Sequence, residues 1–218
     1  MTQTAVKNRR ITLMAMLAAM AYVAMLITRP LPAVAGFLSY DLKDVIIAIA
    51  GFILGPAAAL LITLVVSLIE MATVSSTGPI GLLMNVLATA AFVLPSAVLY
   101  RRNRTLKSAA LGLGLGVLLM TAVMLAWNYI ITPLYMNVPR SVVAGMLIPT
   151  FLPFNLIKGG LNAGITMLLY KPLSGALKRL MPASAGAESQ PRRFNLTATL
   201  VSAFVVVTCV ILFVLMAR

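Results

Sequence analysis

Apolar runs of about twenty residues recur along this chain, each ended by prolines, glycines or a basic cluster. Coiled as an α-helix, such a run matches the roughly 30 Å hydrocarbon core of a bilayer. The backbone polar groups find no water in that core, and a helix satisfies them within the segment. Only 10% of the residues are charged, against about 25% in a soluble domain, and mean hydropathy is +1.05. The fold class is therefore all-α, a polytopic helical bundle in the lipid bilayer.

The punctuation counts the helices. Helix one covers 11–28 and stops at Arg29-Pro30 and Pro32. It is longer than the 7–15-residue core of a signal peptide, so the PAVAG stretch after it is not read as a cleavage site and the helix is kept. Helices four, five and six fall at 80–100, 108–132 (stopped by Pro133) and 146–171. The stretch 45–76 admits one helix or two. As one helix its length would be about 48 Å, well beyond the core. Gly55-Pro56 sits where a break would fall. Two helices, 42–54 and 57–76, also put the basic RRNRTLK segment on the same side as the basic N-terminus, together with Lys171, Lys178, Arg179, Arg192 and Arg193. That is the arrangement the positive-inside rule favours. The expectation is a six-helix core over 1–181 with a cytoplasmic N-terminus in a cell membrane. A small, polar linker and a seventh apolar helix at 195–217 make up 182–218, the helix reading as a lipid-facing anchor.

The 17 Lys and Arg against 4 Asp and Glu follow from that topology. No basic patch interleaves with aromatics, so nucleic acid is not an expected partner. The chain has no histidine and one cysteine, Cys209. Ordinary His/Cys metal sites, Ser-His-Asp and Cys-His catalysis fall away. There is no Walker A segment either. If the chain moves a solute uphill, the ATP chemistry belongs to another subunit. The four acids, Asp41, Asp44, Glu70 and Glu188, do not form the close constellation of a metal-dependent membrane enzyme, so no enzyme is expected.

The polar residues at membrane depth are the informative ones, because ionisable groups there are costly. In FLPFNLIKGGLNAG, residues 151–164, Lys158 and Asn162 lie at about 300° and 340° from Asn155 around the helix, on one face. Gly159, Gly160 and Gly164 permit close approach of backbone or ligand, and Phe151 and Phe154 add flat aromatic surface. Lys158 has no acid on its own helix. Either it binds a ligand, or it snorkels or pairs with an acid from elsewhere. Asn128, beside Trp127 and Tyr129, can face Asn155 from helix five. In FLSYDLKDV, residues 37–45, Asp41 and Asp44 suit a helix N-terminus or a lid over a pocket. Glu70 is either structural or a proton site. An outer pocket with amides, one cation and aromatic rings suits a flat polar heterocycle.

The segments FLSYDLKDVIIAIAGFILGP, SLIEMATVSSTGPIGLLMNVLA, VLLMTAVMLAWNYIITPLYMNVPR and FLPFNLIKGGLNA carry a close resemblance. From Ile11 to Pro172 the chain resembles the riboflavin-specific S component of bacterial energy-coupling factor (ECF) transporters. The resemblance implies a six-helix vitamin-binding subunit with riboflavin held near the outer face under the loop between helices one and two. It implies ring contacts from Asn128, Asn155 and Lys158, with Tyr40, Asp41 and Asn85 as lid or ribityl contacts. It also implies a small-residue docking motif on helix one, here Ala15 and Ala19, for a transmembrane coupling (T) component that works with two cytoplasmic ATPases. Such subunits end soon after helix six, so the seventh helix is a departure. The competing reading is a stand-alone proton-coupled carrier using Glu70.

Overall fold

The computed structural model describes residues 3–180 and 196–217. Its helices are α1 (Gln3–Thr28), α2 (Lys43–Leu54), α3 (Pro56–Thr73), α4 (Gly78–Asn103), α5 (Leu106–Met136), α6 (Arg140–Met146), α7 (Leu152–Leu180) and α8 (Leu196–Met216), with a π-helical turn, Leu147–Phe151, joining α6 to α7. Among the described residues six spans are long and apolar enough to cross a membrane, with α6, the π-turn and the first part of α7 forming one of them. Leucines and valines on the outer faces, such as Leu64, Val65 and Leu68 of α3 and Leu115, Leu118 and Leu119 of α5, are exposed. A continuous apolar exterior of this kind matches lipid, not water.

The two-helix reading of 45–76 holds. Gly55 takes φ 93°, which an L side chain rarely adopts, and Pro56 starts α3 where a missing N–H costs nothing. The 12 residues of α2 make only about 18 Å, less than the hydrocarbon core, although α2 runs from the lid to the end where Arg10 reaches the Leu54 carbonyl. It is the buried axis of the bundle, packed by α1, α3, α4 and α7. Val45, Ile47, Ala48, Ile49 and Ala50 are all buried. α4 and α5 meet most closely at two glycines of α5. A Cβ on Gly112 would come within 2.6 Å of the Ser96 Cα, and one on Gly116 within 2.2 Å of the Phe92 carbonyl oxygen.

Several boundaries differ from the sequence reading: helix one starts at Gln3 rather than 11, helix six runs to Leu180 rather than 171, and two more involve prolines. Pro133 does not stop helix five. α5 runs to Met136 and is closed by Asn137 in the left-handed region, with the Pro133 carbonyl accepting from the Asn137 and Val138 amides. Proline withholds its own N–H from the turn before it, but its φ is helical and its carbonyl still accepts, so the residues after it can continue the helix. Helix six starts earlier, at Arg140, and its π-turn holds Pro149 just ahead of Pro153. Two prolines four residues apart withhold donors from the ladder and favour a local change of pitch.

The seventh helix exists but is more than an anchor facing lipid. α8 lies along α7, where a Cβ on Gly164 would meet Val206 at 2.8 Å and one on Gly160 would meet Cys209 at 3.1 Å. Small residues let the two backbones approach, and this face had no reason to stand out in an apolar sequence. The expected linker, with Glu188, Arg192 and Arg193, and the 181/182 boundary lie outside the described residues.

Candidate binding site

The loop between α1 and α2 folds back over the bundle. Val34 and Leu38 pair through their backbones around a tight turn at Ala35 and Gly36, both with positive φ. The turn sends Phe37 against the Phe151 ring, 5.9 Å between centroids. It leaves Tyr40 and Asp41 buried at the mouth of α2. The loop is thus a lid whose underside is built from side chains the sequence placed together in FLSYDLKDV.

Beneath it lies a connected polar network. Lys158 Nζ of α7 donates to Asp41 Oδ2 at 2.8 Å. Lys43 Nζ, on the first residue of α2, donates to Glu70 Oε2 of α3 at 2.6 Å and stands 4.0 Å from Asp41 Oδ2. Asp44 accepts from Thr89 Oγ1 of α4 at 2.6 Å and from Asn162 Nδ2 of α7 at 3.4 Å. Asn162 Oδ1 in turn accepts from Tyr40 OH at 2.8 Å. Buried charges persist only when paired and hydrogen-bonded. Here Asp41 and Glu70 are paired with Lys158 and Lys43, Asp44 is held by neutral hydrogen bonds, and one oxygen is an exception. Asp41 Oδ1 is buried and has no hydrogen-bond partner among the described residues. A buried orphan acceptor is rare and calls for an explanation.

Electrostatics on the lid follow from these neighbours. Burial by itself would raise the Asp41 pKa, but the charges of Lys158 and Lys43 outweigh it and hold the carboxyl below its usual range. Burial, with Asp41 and Asp44 nearby, pushes the Tyr40 phenol well above its ordinary value, so it stays a hydrogen-bond donor to Asn162.

The structure supplies Lys158 with an acid from outside its own helix. Its partner is Asp41 of the lid, the pairing the sequence leaves open beside a ligand contact. Helical periodicity sees only one segment and cannot register an acid delivered by a loop. Asn128 and Asn155 are buried, but each amide is bonded within its own helix. Asn128 donates to the Met124 carbonyl and accepts from Thr132, and Asn155 donates to the Phe151 carbonyl. No hydrogen bond joins the two. Asn85 is half-buried on α4, and its side chain makes no hydrogen bond among the described residues. Ala15 and Ala19 are exposed together on the outer face of α1. Phe151 and Phe154 pack the lid and α7. The glycines divide the labour of packing, Gly159 facing Met120 and Val117 of α5 while Gly160 and Gly164 face α8. Sequence reasoning missed Thr89 and the Lys43–Glu70 pair. Threonine is ordinary in an apolar helix, whereas a lysine between two aspartates was a usable signal.

A cavity of about 430 Å³ lies at the opposite end, lined by Arg9, Arg10, Arg101 and Arg104 around the α2–α3 elbow. It gathers the basic residues of α1 and α4 and is remote from the lid.

Residues 9–170 match the family described as ECF transporter, substrate-specific component. The chain belongs to this family. It is similar to the riboflavin transporter RibU of Staphylococcus aureus, at 33% identity over 80% of this chain and 95% of the relative. It is also similar to the riboflavin transporter FmnP of Bacillus subtilis, at 32% identity over 70% and 85%. A solved S component of a bacterial ECF transporter superposes with a TM-score of 0.66 at 34% identity, covering 79% of this chain and 99% of the other. The substrate-specific component is a multi-pass membrane transport protein and not an enzyme. In this S component, α8 lies beyond the residues that match the family.

Proposed function

We propose that this S component binds riboflavin beneath the lid and delivers it across a bacterial cell membrane when joined to an ATP-driven coupling module. The observation that carries the ligand is the likeness to three proteins named riboflavin transporters, each 31–33% identical over 70–80% of this chain. The module comprises a transmembrane coupling component and two cytoplasmic ATPases, which supplies the phosphate chemistry this sequence lacks. The N-terminus and the arginine-rich end face the cytoplasm, in keeping with the positive-inside rule.

Lys158, Asn155 and Asn128 hold the isoalloxazine ring, and Tyr40, Asp41 and Asn85 contribute to the lid and the ribityl chain. The buried, unpartnered Asp41 Oδ1 supports this reading, because the ribityl hydroxyls are donors of the kind that oxygen lacks. Ala15 and Ala19 form the docking face for the coupling component, and their exposure supports that role. The Glu70 carboxylate is engaged by Lys43, so it is assigned to structure and not to proton coupling. The test is uptake of labelled riboflavin into cells without their own uptake system. Uptake is expected only when the coupling module is co-produced with active ATPases. ATP-independent uptake by this chain alone would contradict the proposal.

A further inference from the structure

α8 holds a specific position against the lid. Ser202, Val206, Cys209, Phe213 and Met216 recur at spacings of four and three, the period of a helix seam. Ser202 and Phe213 are buried. Val206, Cys209 and Met216 pack with Phe213 into the cluster that also contains Val34 and Tyr40 of the lid and Phe154, Ile157 and Leu161 of α7. The opposite face, with Phe204 at 72% exposure, turns outward. The seat is cut into α7 itself. A side chain at Gly164 would collide with Val206 at 2.8 Å, so the glycine face admits α8.

The outer end of α8 then meets the lid through a ring pair. The Phe213 ring lies 5.7 Å from the Tyr40 ring, tilted at 59°. Tyr40 is the lid residue whose hydroxyl reaches Asn162 on α7. Its two sides are therefore fixed differently, the hydroxyl by the polar network and the ring by α8. To lift the lid, Tyr40 must leave both partners. Tilted aromatic pairs of this kind contribute beyond their buried area.

We infer that α8 is an intramembrane clamp on the lid, and that Phe213 is a positioning residue setting how readily the lid opens and thus how fast the ligand leaves. The part concerning release rests on the riboflavin reading above, but the clamp itself does not. The first arm of the test therefore needs no ligand. Hydrogen exchange is followed in residues 29–42 of the full-length protein in detergent, for wild type, Phe213→Ala, Gly164→Leu and Phe204→Ala. Loss of the ring contact should speed exchange of the lid about 2- to 10-fold in Phe213→Ala. Gly164→Leu, which unseats α8 from a different residue, should do the same, and Phe204→Ala should match wild type. Lid exchange unchanged in both Phe213→Ala and Gly164→Leu overturns the clamp.

The second arm is the rate of riboflavin release from preloaded protein, expected to rise by a similar factor in Phe213→Ala. Faster lid exchange with unchanged release overturns the link between clamp and ligand. A wild-type protein that binds no riboflavin contradicts the ligand reading alone, and lid exchange then decides the clamp.

Discussion

Lys158 and Asp41 are 117 positions apart in the chain, yet the lysine ammonium donates to the carboxylate at 2.8 Å. That contact ties the lid to α7 and places a paired cation under it. An ion pair at the mouth of a site can be purely architectural or can also serve the ligand, and the two roles respond differently to substitution. Lys158→Ala leaves Asp41 buried without its hydrogen-bonded cation, with Lys43 at 4.0 Å, which should destabilise the protein by about 3 kcal/mol. Adding Asp41→Asn removes the stranded charge and should restore part of that loss. Riboflavin affinity should fall about 5- to 150-fold in Lys158→Ala and stay low in the double variant. Affinity that recovers along with stability would make Lys158 a structural residue only.

The pair also predicts how the lid responds to acid. Asp41 titrates below its ordinary value of 3.8, so its contribution to stability is fully present above that value. It is lost as pH falls through the lower, folded-state value. The melting-temperature difference between wild type and Asp41→Asn should therefore be constant from neutral pH down to about pH 5 and shrink below about pH 4. A difference that already collapses between pH 7 and pH 5 would mean that the carboxyl is not held charged by Lys158 and Lys43.

Lys43 is 2% exposed in its side chain and sits 2.6 Å from Glu70. Glu70→Gln keeps an acceptor but removes the charge that balances the buried lysine. Thermal stability should drop by roughly 1–3 kcal/mol, while ATP-driven uptake by the variant that remains folded persists. Abolished uptake at undiminished stability would revive a proton-coupled role for Glu70.

Ala15 and Ala19 lie exposed one turn apart on α1, away from the lid network. Ala15→Trp or Ala19→Trp should spare riboflavin binding in the isolated subunit and abolish uptake with the coupling module, because bulk on a close-packing face keeps helices apart. Normal uptake in both variants would remove α1 as the docking face.

Much of the scaffold was legible because membrane helices are written in runs and breakers. Gly55-Pro56 marked the elbow, and the short α2 followed from length against bilayer thickness. Pro133 misled because a proline in the last turn of a helix need not end it. At the site, the helical period put Lys158 and Asn162 on one face and both join the network with residues of FLSYDLKDV, whereas the Asn155 amide bonds back to Phe151. What stayed hidden was the pairing between the two segments. The Lys158–Asp41, Asn162–Tyr40 and Asp44–Thr89 contacts join elements distant in sequence, and a one-dimensional period carries no information on which helices adjoin. The seat of α8 was hidden for a related reason. Gly160 and Gly164 advertise a close approach without saying to what.

Riboflavin fluorescence, titrated against the purified protein in detergent with Lys158→Ala alongside, tests the central claim most directly. Stoichiometric quenching by the wild-type protein, weakened about 5- to 150-fold in the variant, is the predicted result. Absence of quenching by well-folded wild-type protein would contradict the assignment of riboflavin as the ligand.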